Sequence, residues 1–205
     1  MKTPLAAAPS WVAAVVFPVL SGLGVCHGAL AADQPAALPI RDGSHDFDWE
    51  IGTWKTHLKV LRHLGNGSTA WAEYEGTSVV RAIWNGRANM VELEVDGPGG
   101  HLEALNLRLY NPQSHQWSLN FANASVGAMP GPPTVGQFTH GRGTFYDMES
   151  IDGRPVLVRA VWSDVSQKSG HFEQAISDDG GKNWQVNWIA DDVRIKDASA
   201  GDKDK

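Results

Sequence analysis

The chain has 205 residues, with 23 acidic against 17 basic side chains and a formal net charge of −6. No basic block accompanies that balance, so the electrostatic footprint of a nucleic-acid-binding protein is absent. Once both ends are set aside, one domain of roughly 150 residues remains, enough for a single core.

Lys2 is followed by an apolar run over residues 11–25, WVAAVVFPVLSGLGV, and then by Ala29-Leu30-Ala31, the small-x-small pattern after which signal peptidase cuts. Residues 1–31 therefore read as a cleaved signal peptide, and the mature protein as periplasmic or secreted. The run is shorter than the roughly 20 apolar residues of a spanning helix and contains Pro18 and two glycines, so no membrane span is expected after cleavage. The single cysteine, Cys26, falls in the removed segment, which leaves the mature chain without disulfide or thiol chemistry. Residues 32–43, rich in Ala and Pro, read as a flexible lead-in and residues 197–205 as a charged tail, with the domain spanning 44–196.

No long segment places apolar residues three and four apart, and turn signals recur about every eight to twelve residues. The domain is therefore all-β, entered through a short helical turn. In the hairpin 102–122 the turn falls at Asn111-Pro112. Matching like with like aligns Leu109, Leu107 and Leu105 with Trp117, Leu119 and Phe121, and leaves Asn106, Arg108, Ser118 and Asn120 on the solvent face. Asp152-Gly153 is a two-residue type I′ signal that pairs Ile151 with Arg154. That register sets Met148 opposite Leu157 and Tyr146 opposite Arg159 on one face, with Glu149 opposite Val156 and Phe145 opposite Ala160 on the other.

Residues 177–184 read SDDGGKNW, the Ser-x-Asp-x-Gly-x-x-Trp pattern repeated around sialidase propellers. A single copy, with no propeller, arginine cluster or nucleophilic tyrosine, does not make a glycosidase. It reads instead as a turn device: Ser177 and Asp179 accept bonds from free backbone N–H groups, the glycines Gly180 and Gly181 allow positive φ, and Trp184 covers the loop. The flanking strands are then expected to pair Ile176 with Trp184, Gln174 with Val186 and Phe172 with Trp188, and Glu173 with Asn187 on the reverse face.

The stretch HDFDWEIGTWKTHLKVL carries Gly52-Thr53-Trp54, the Gly-x-Trp signature found where lipocalins enter their barrel. Together with Trp71…Tyr74-x-Gly76, LRLYNPQSHQW, GRGTFYD and FEQAISDDGGKNWQVNWI, it makes the mature domain resemble a family of exported bacterial calycin-like proteins classed as a domain of unknown function. The resemblance implies a lipocalin-like, antiparallel up-and-down β-barrel of about ten strands, and brings no activity with it. In lipocalins an arginine packs over that tryptophan. Arg194 would fill the role over Trp54, closing the first strand against the last.

The strongest chemical pattern is an apolar face shared by Val156, Val158, Trp162, Phe172, Ile176, Val186 and Trp188. The opposite face gathers Tyr146, Arg159, Glu173 and Asn187. Alternation alone does not choose which face is luminal, but the solvent cost of aromatic surface argues for the first. The expected function is binding of a small lipophilic or amphipathic molecule, walled by Trp117, Phe121, Trp162, Phe172 and Trp188, with Gln174 as polar handle. One rival is a hydrolase or isomerase using Arg159 and Glu173; another is a filled barrel that self-associates as a homodimer. Catalytic residues are not assigned, and no cofactor is implied. None of the seven histidines outside the signal shows a metal spacing. Should a haem be bound, His171, beside the aromatic strand, would be the first ligand to consider.

Overall fold

The computed structural model describes residues 42–62 and 70–197. The signal reading over 1–31, Cys26, most of the lead-in and the tail from residue 198 lie outside the described residues. Ten strands follow in order: β1 (Gly52–Leu61), β2 (Trp71–Ile83), β3 (Ala88–Gly97), β4 (Gly100–Asn111), β5 (Gln116–Asn123), β6 (Thr134–Thr139), β7 (Arg142–Ile151), β8 (Arg154–Ser163), β9 (Ser169–Ser177) and β10 (Gln185–Asp197). Each pairs antiparallel with the next, and β10 returns to β1. The result is the expected closed up-and-down barrel, which leaves no free sheet edge.

Alternation explains the inside and the outside. On β1, Trp54, Thr56 and Leu58 are buried, whereas Lys55, His57 and Lys59 face out and meet Glu73 and Glu75 of β2 in ion pairs. One end of the barrel is closed by the segment before β1, which contains a 3-10 turn at Asp48–Glu50. Phe47 sits at the centre of that plug, with ring centroids 5.2 Å from Trp117, 5.0 Å from Phe138 and 5.4 Å from Trp162. The plug reaches further back than a lead-in ending at Gly43 allows. Asp42 accepts the Tyr110 hydroxyl at 2.8 Å, and the Gly43 carbonyl accepts the Trp117 indole N–H at 2.8 Å. Residues 42 and 43 are thus tied to the barrel.

The β7–β8 hairpin has the register read from its turn, Ile151 opposite Arg154 through Phe145 opposite Ala160, with φ of 52° at Asp152 and 77° at Gly153. Two other hairpins differ. Between β4 and β5, Tyr110, Arg108 and Asn106 pair with Trp117, Leu119 and Phe121, one residue away from the leucine alignment. The cause is the loop. The Asn111 side chain accepts the backbone N–H of Gln113 at 2.8 Å and of Ser114 at 3.2 Å, and His115 takes a φ of 55°. Four residues are consumed before Gln116 pairs back. A slip of one residue exchanges the two faces, so Asn106 and Arg108 turn inward and Leu105, Leu107 and Leu109 join the face of Ser118 and Asn120.

Between β9 and β10, Ile176 pairs with Gln185, Ala175 with Val186, Gln174 with Trp188 and Phe172 with Ala190. A bulge lies between Val186 and Trp188. It leaves Asn187 as the extra residue, opposite neither Glu173 nor any expected partner, and it moves Val186 off the aromatic face. Trp188 keeps its inward side, with Gln174 rather than Phe172 across from it.

Candidate functional site: an aromatic lumen with a polar floor

Above the Phe47 plug the barrel holds a cavity of about 340 Å³. That is within the range of small-molecule sites and several times the space one water occupies. The lumen is therefore not filled by its own side chains. A second recess lies between the β3–β4 hairpin and residues 122–129 and shares Leu93, Ala104 and Leu105 with the first.

Five of the six residues expected to form the site line the cavity: Phe121, Trp162, Phe172, Gln174 and Trp188. Trp162 and Phe172 pack at 4.5 Å between ring centroids. Phe121 of β5 and Trp188 of β10 come from opposite sides of the barrel and meet edge-to-face at 6.2 Å. Trp117 is the exception. It packs against the plug from β5, 1% exposed, with its indole committed to Gly43. Leu58, Val91, Leu93, Ala104, Leu119 and Ala190 complete the apolar wall.

The floor is polar, and composition did not single out its residues. Arg108, turned in by the β4–β5 register, donates from Nη1 and Nη2 to the two carboxylate oxygens of Glu50 in the 3-10 turn, the second at 3.2 Å. Phe47 and Trp162 flank the guanidinium at 4.3 and 5.1 Å. The pair is almost wholly buried, a setting in which charge is tolerated only when matched and hydrogen-bonded. Beside it, Thr56 donates its hydroxyl to Asp192, and the Thr56 and Ser78 hydroxyls lie 2.7 Å apart. Burial pushes the Asp192 carboxyl up to about 7, opposed by the Thr56 bond and reinforced by the Glu50 charge. Toward the open end, Glu149 lines the β7 wall, and burial followed by the charge of Asp147 raises its pKa. Asp147 is itself raised by burial, against a 2.6 Å bond from the Thr134 hydroxyl. The buried Asn106 Oδ1 and Arg108 Nε have no hydrogen-bond partner in the protein.

A sequence signal for Asp192 did exist. Trp188, Ala190 and Asp192 alternate on one face of β10, so the aromatic call at Trp188 carries the carboxyl inward with it.

The remaining expected residues are distributed as follows. Arg194 stacks over Trp54 at 4.1 Å and donates to the carbonyls of Trp49, Ile51 and Gln167, binding β10 to the plug and to the β8–β9 connection. The Trp54 indole donates to the Glu50 carbonyl at 2.6 Å. In the octapeptide, Ser177 Oγ accepts the Gly181 N–H at 2.9 Å, and Asp179 Oδ1 accepts those of Lys182 and Asn183 at 3.0 and 2.9 Å. Gly180 and Gly181 have φ of 75° and 88°, and Trp184 donates to the Gly181 carbonyl at 3.1 Å. These groups serve the loop.

Arg159 and Glu173 do not form a luminal pair. Arg159 is opposite Tyr146 on the outer face, its guanidinium 4.4 Å from the Trp184 ring, and Glu173 pairs with Val161 and Ile189. His171 likewise faces out, where its Nδ1 lies 2.7 Å from Asp191. A haem in the lumen could not use it. Among the described residues no group of three His, Cys, Asp or Glu side chains is placed to hold a metal ion, and no helix is long and apolar enough to cross a membrane.

No protein-family model and no curated protein matches the sequence. Solved structures similar to it include an S-type phycobiliprotein lyase from Guillardia theta, at 13% identity over 73% of this chain and 90% of that one, with a TM-score of 0.48. A de novo designed fluorescence-activating β-barrel matches at 10% identity over 76% and 100%, with a TM-score of 0.40. EF1p2_mFAP2b bound to DFHBI matches at 8% identity over 75% and 99%, with a TM-score of 0.41. The fold itself is established by the closed strand pairing described above.

Proposed function

We propose that this chain is an exported, calycin-like binding protein that takes one small amphipathic molecule into its lumen. The apolar body lies among Phe121, Phe172, Trp188, Leu58 and Leu93, and the polar end faces Gln174, Asn106 and Asp192. The observation that carries the reading is a single cavity in which aromatic walls converge on buried polar groups, two of them, Asn106 Oδ1 and Arg108 Nε, without a protein partner. Buried polar atoms are normally satisfied, and a bound polar group or water would satisfy these. Export is supported by the signal-like residues 1–31, and kinship to the calycin-like family by Gly52-Thr53-Trp54 and the block around the octapeptide.

Titration with the neutral fluorophore N-phenyl-1-naphthylamine tests the proposal. Saturable binding of one probe per chain is expected, lost in Phe172→Asp, which places a carboxylate in the apolar wall, and kept in Glu173→Gln on the outer face. Binding lost with Glu173→Gln and retained with Phe172→Asp would refute it.

A further inference from the structure

We propose that the head group accepted by this lumen is a cation, an organic ammonium whose counter-ion is Asp192. The proposal rests on the lumen being the binding site and adds the charge of what enters it.

The cavity lining contains three carboxyl groups, Glu50, Glu149 and Asp192, and a single cation, Arg108; no lysine or histidine lines it. Arg108 offers an incoming anion only its Nε, the one guanidinium nitrogen without a protein partner. Both of its terminal nitrogens are taken by the two oxygens of Glu50, and its flat faces are covered by Phe47 and Trp162. To gain more than that single N–H, a fatty carboxylate would have to break the buried pair and strand Glu50, whereas a cation need not disturb it.

Of the two carboxyls outside that pair, Glu149 lies toward the open end and Asp192 stands on the polar floor. Thr56 satisfies one of its oxygens, and among the described residues no lysine, arginine or histidine forms an ion pair with it. Its ionised form is felt by Arg108, which is already paired with Glu50, but has no ion-pair partner of its own, which an ammonium would supply together with N–H donors. Two neighbouring orphan acceptors point the same way, with Arg108 Nε the one orphan donor in the lining. Asn106 Oδ1 in the lining and Asp147 Oδ1 on the same face as Glu149 are both buried acceptors without donors. Two acceptors without donors and a carboxyl without an ion-pair partner outnumber the single orphan donor, and a neutral or anionic head meets fewer of them.

The test compares three molecules with the same ten-carbon chain, decylammonium, 1-decanol and decanoate, as displacers of N-phenyl-1-naphthylamine at about pH 8, where Asp192 is ionised. Decylammonium is expected to displace the probe at a concentration about tenfold or more below that of decanol, a difference typical of one added charge-assisted contact. Decanoate is expected to be the weakest. Asp192→Asn should bring decylammonium to the level of decanol while decanol itself changes less than about threefold, and the outer-face variant Glu173→Gln should leave the order intact. Equal displacement by the three in the unaltered protein, or a stronger decanoate, overturns the proposal while leaving the lumen as the binding site. So does an ammonium preference that survives Asp192→Asn. If the probe does not bind at all, the binding-site reading fails and the charge assignment falls with it.

Discussion

Replacing Asp192 by Asn should remove that carboxyl's share of the pH dependence of stability between mildly acid and mildly alkaline solution. The change conserves shape and leaves an oxygen to accept the Thr56 hydroxyl, so it isolates ionisation. Burial raises this carboxyl from its ordinary 3.8 to about 7. A carboxyl whose folded pKa lies above its unfolded value binds its proton more tightly in the fold, so its contribution is complete below about pH 4 and is lost as pH rises through about 7. At ~1.4 kcal/mol per unit, the three units correspond to about 4 kcal/mol, of which about 3 kcal/mol falls between pH 4.5 and pH 8. Asp147 and Glu149 are raised as well and act with the same sign, but they remain in the variant and cancel in the comparison. Urea unfolding of both proteins across that range, followed by tryptophan emission, reads the difference directly. The gap between variant and parent should widen in the variant's favour by about 3 kcal/mol on going from acid to alkaline conditions. Parallel pH profiles would refute the burial of Asp192 beside Glu50 and with it the polar floor.

Arg194→Ala and Trp54→Ala should each lower stability, and the double variant should lose less than the sum by ~0.5–2 kcal/mol, since the guanidinium lies directly on the ring; denaturant midpoints of the four proteins give the coupling. Arg108→Met should be far more damaging, by ~3–5 kcal/mol, because it strands the buried Glu50 carboxylate, and adding Glu50→Gln should recover part of that loss in the same assay. Asp179→Ala should lower the melting midpoint without altering probe affinity, as the carboxylate bonds only within its loop. The Asn183 N–H and side-chain bonds hold Asp179 at about 2, so its contribution is complete above about pH 4 and is lost as pH falls from there through about 2, which a melting series in acid would show.

What the sequence disclosed depended on how tightly each turn constrains its strands. Asp152-Gly153 admits one geometry, and the whole β7–β8 register followed from it, including the inward Phe145 and the outward Arg159. Asn111-Pro112 admits several. Its Asn side chain extends the loop by capping two amides, and this added residue reversed the faces of β4. Like-with-like matching failed there because the longer loop turns Arg108 and Asn106 into the lumen, against the local rule that places leucines inside. The bulge at Asn187 left no mark that composition could reveal, yet it preserved the inward side of Trp188. Aromatic residues were legible as walls because water rejects them on either reading of the register. The polar floor was not, since Glu50 arrives from the plug and its partner from β4, 58 positions away.

The indole N–H signals of the protein's tryptophans offer the most direct measurement of the central claim, because Trp162 and Trp188 line the cavity whereas Trp184 caps an outer loop and Trp84 is 64% exposed at the plugged end. Titration of isotope-labelled protein with N-phenyl-1-naphthylamine, followed by ¹H–¹⁵N correlation spectra, should shift Trp162 and Trp188 saturably and together, with Trp84 and Trp184 unmoved. Shifts confined to Trp84 or Trp184, with the luminal pair unchanged at saturation, would place the ligand outside the barrel and contradict the account.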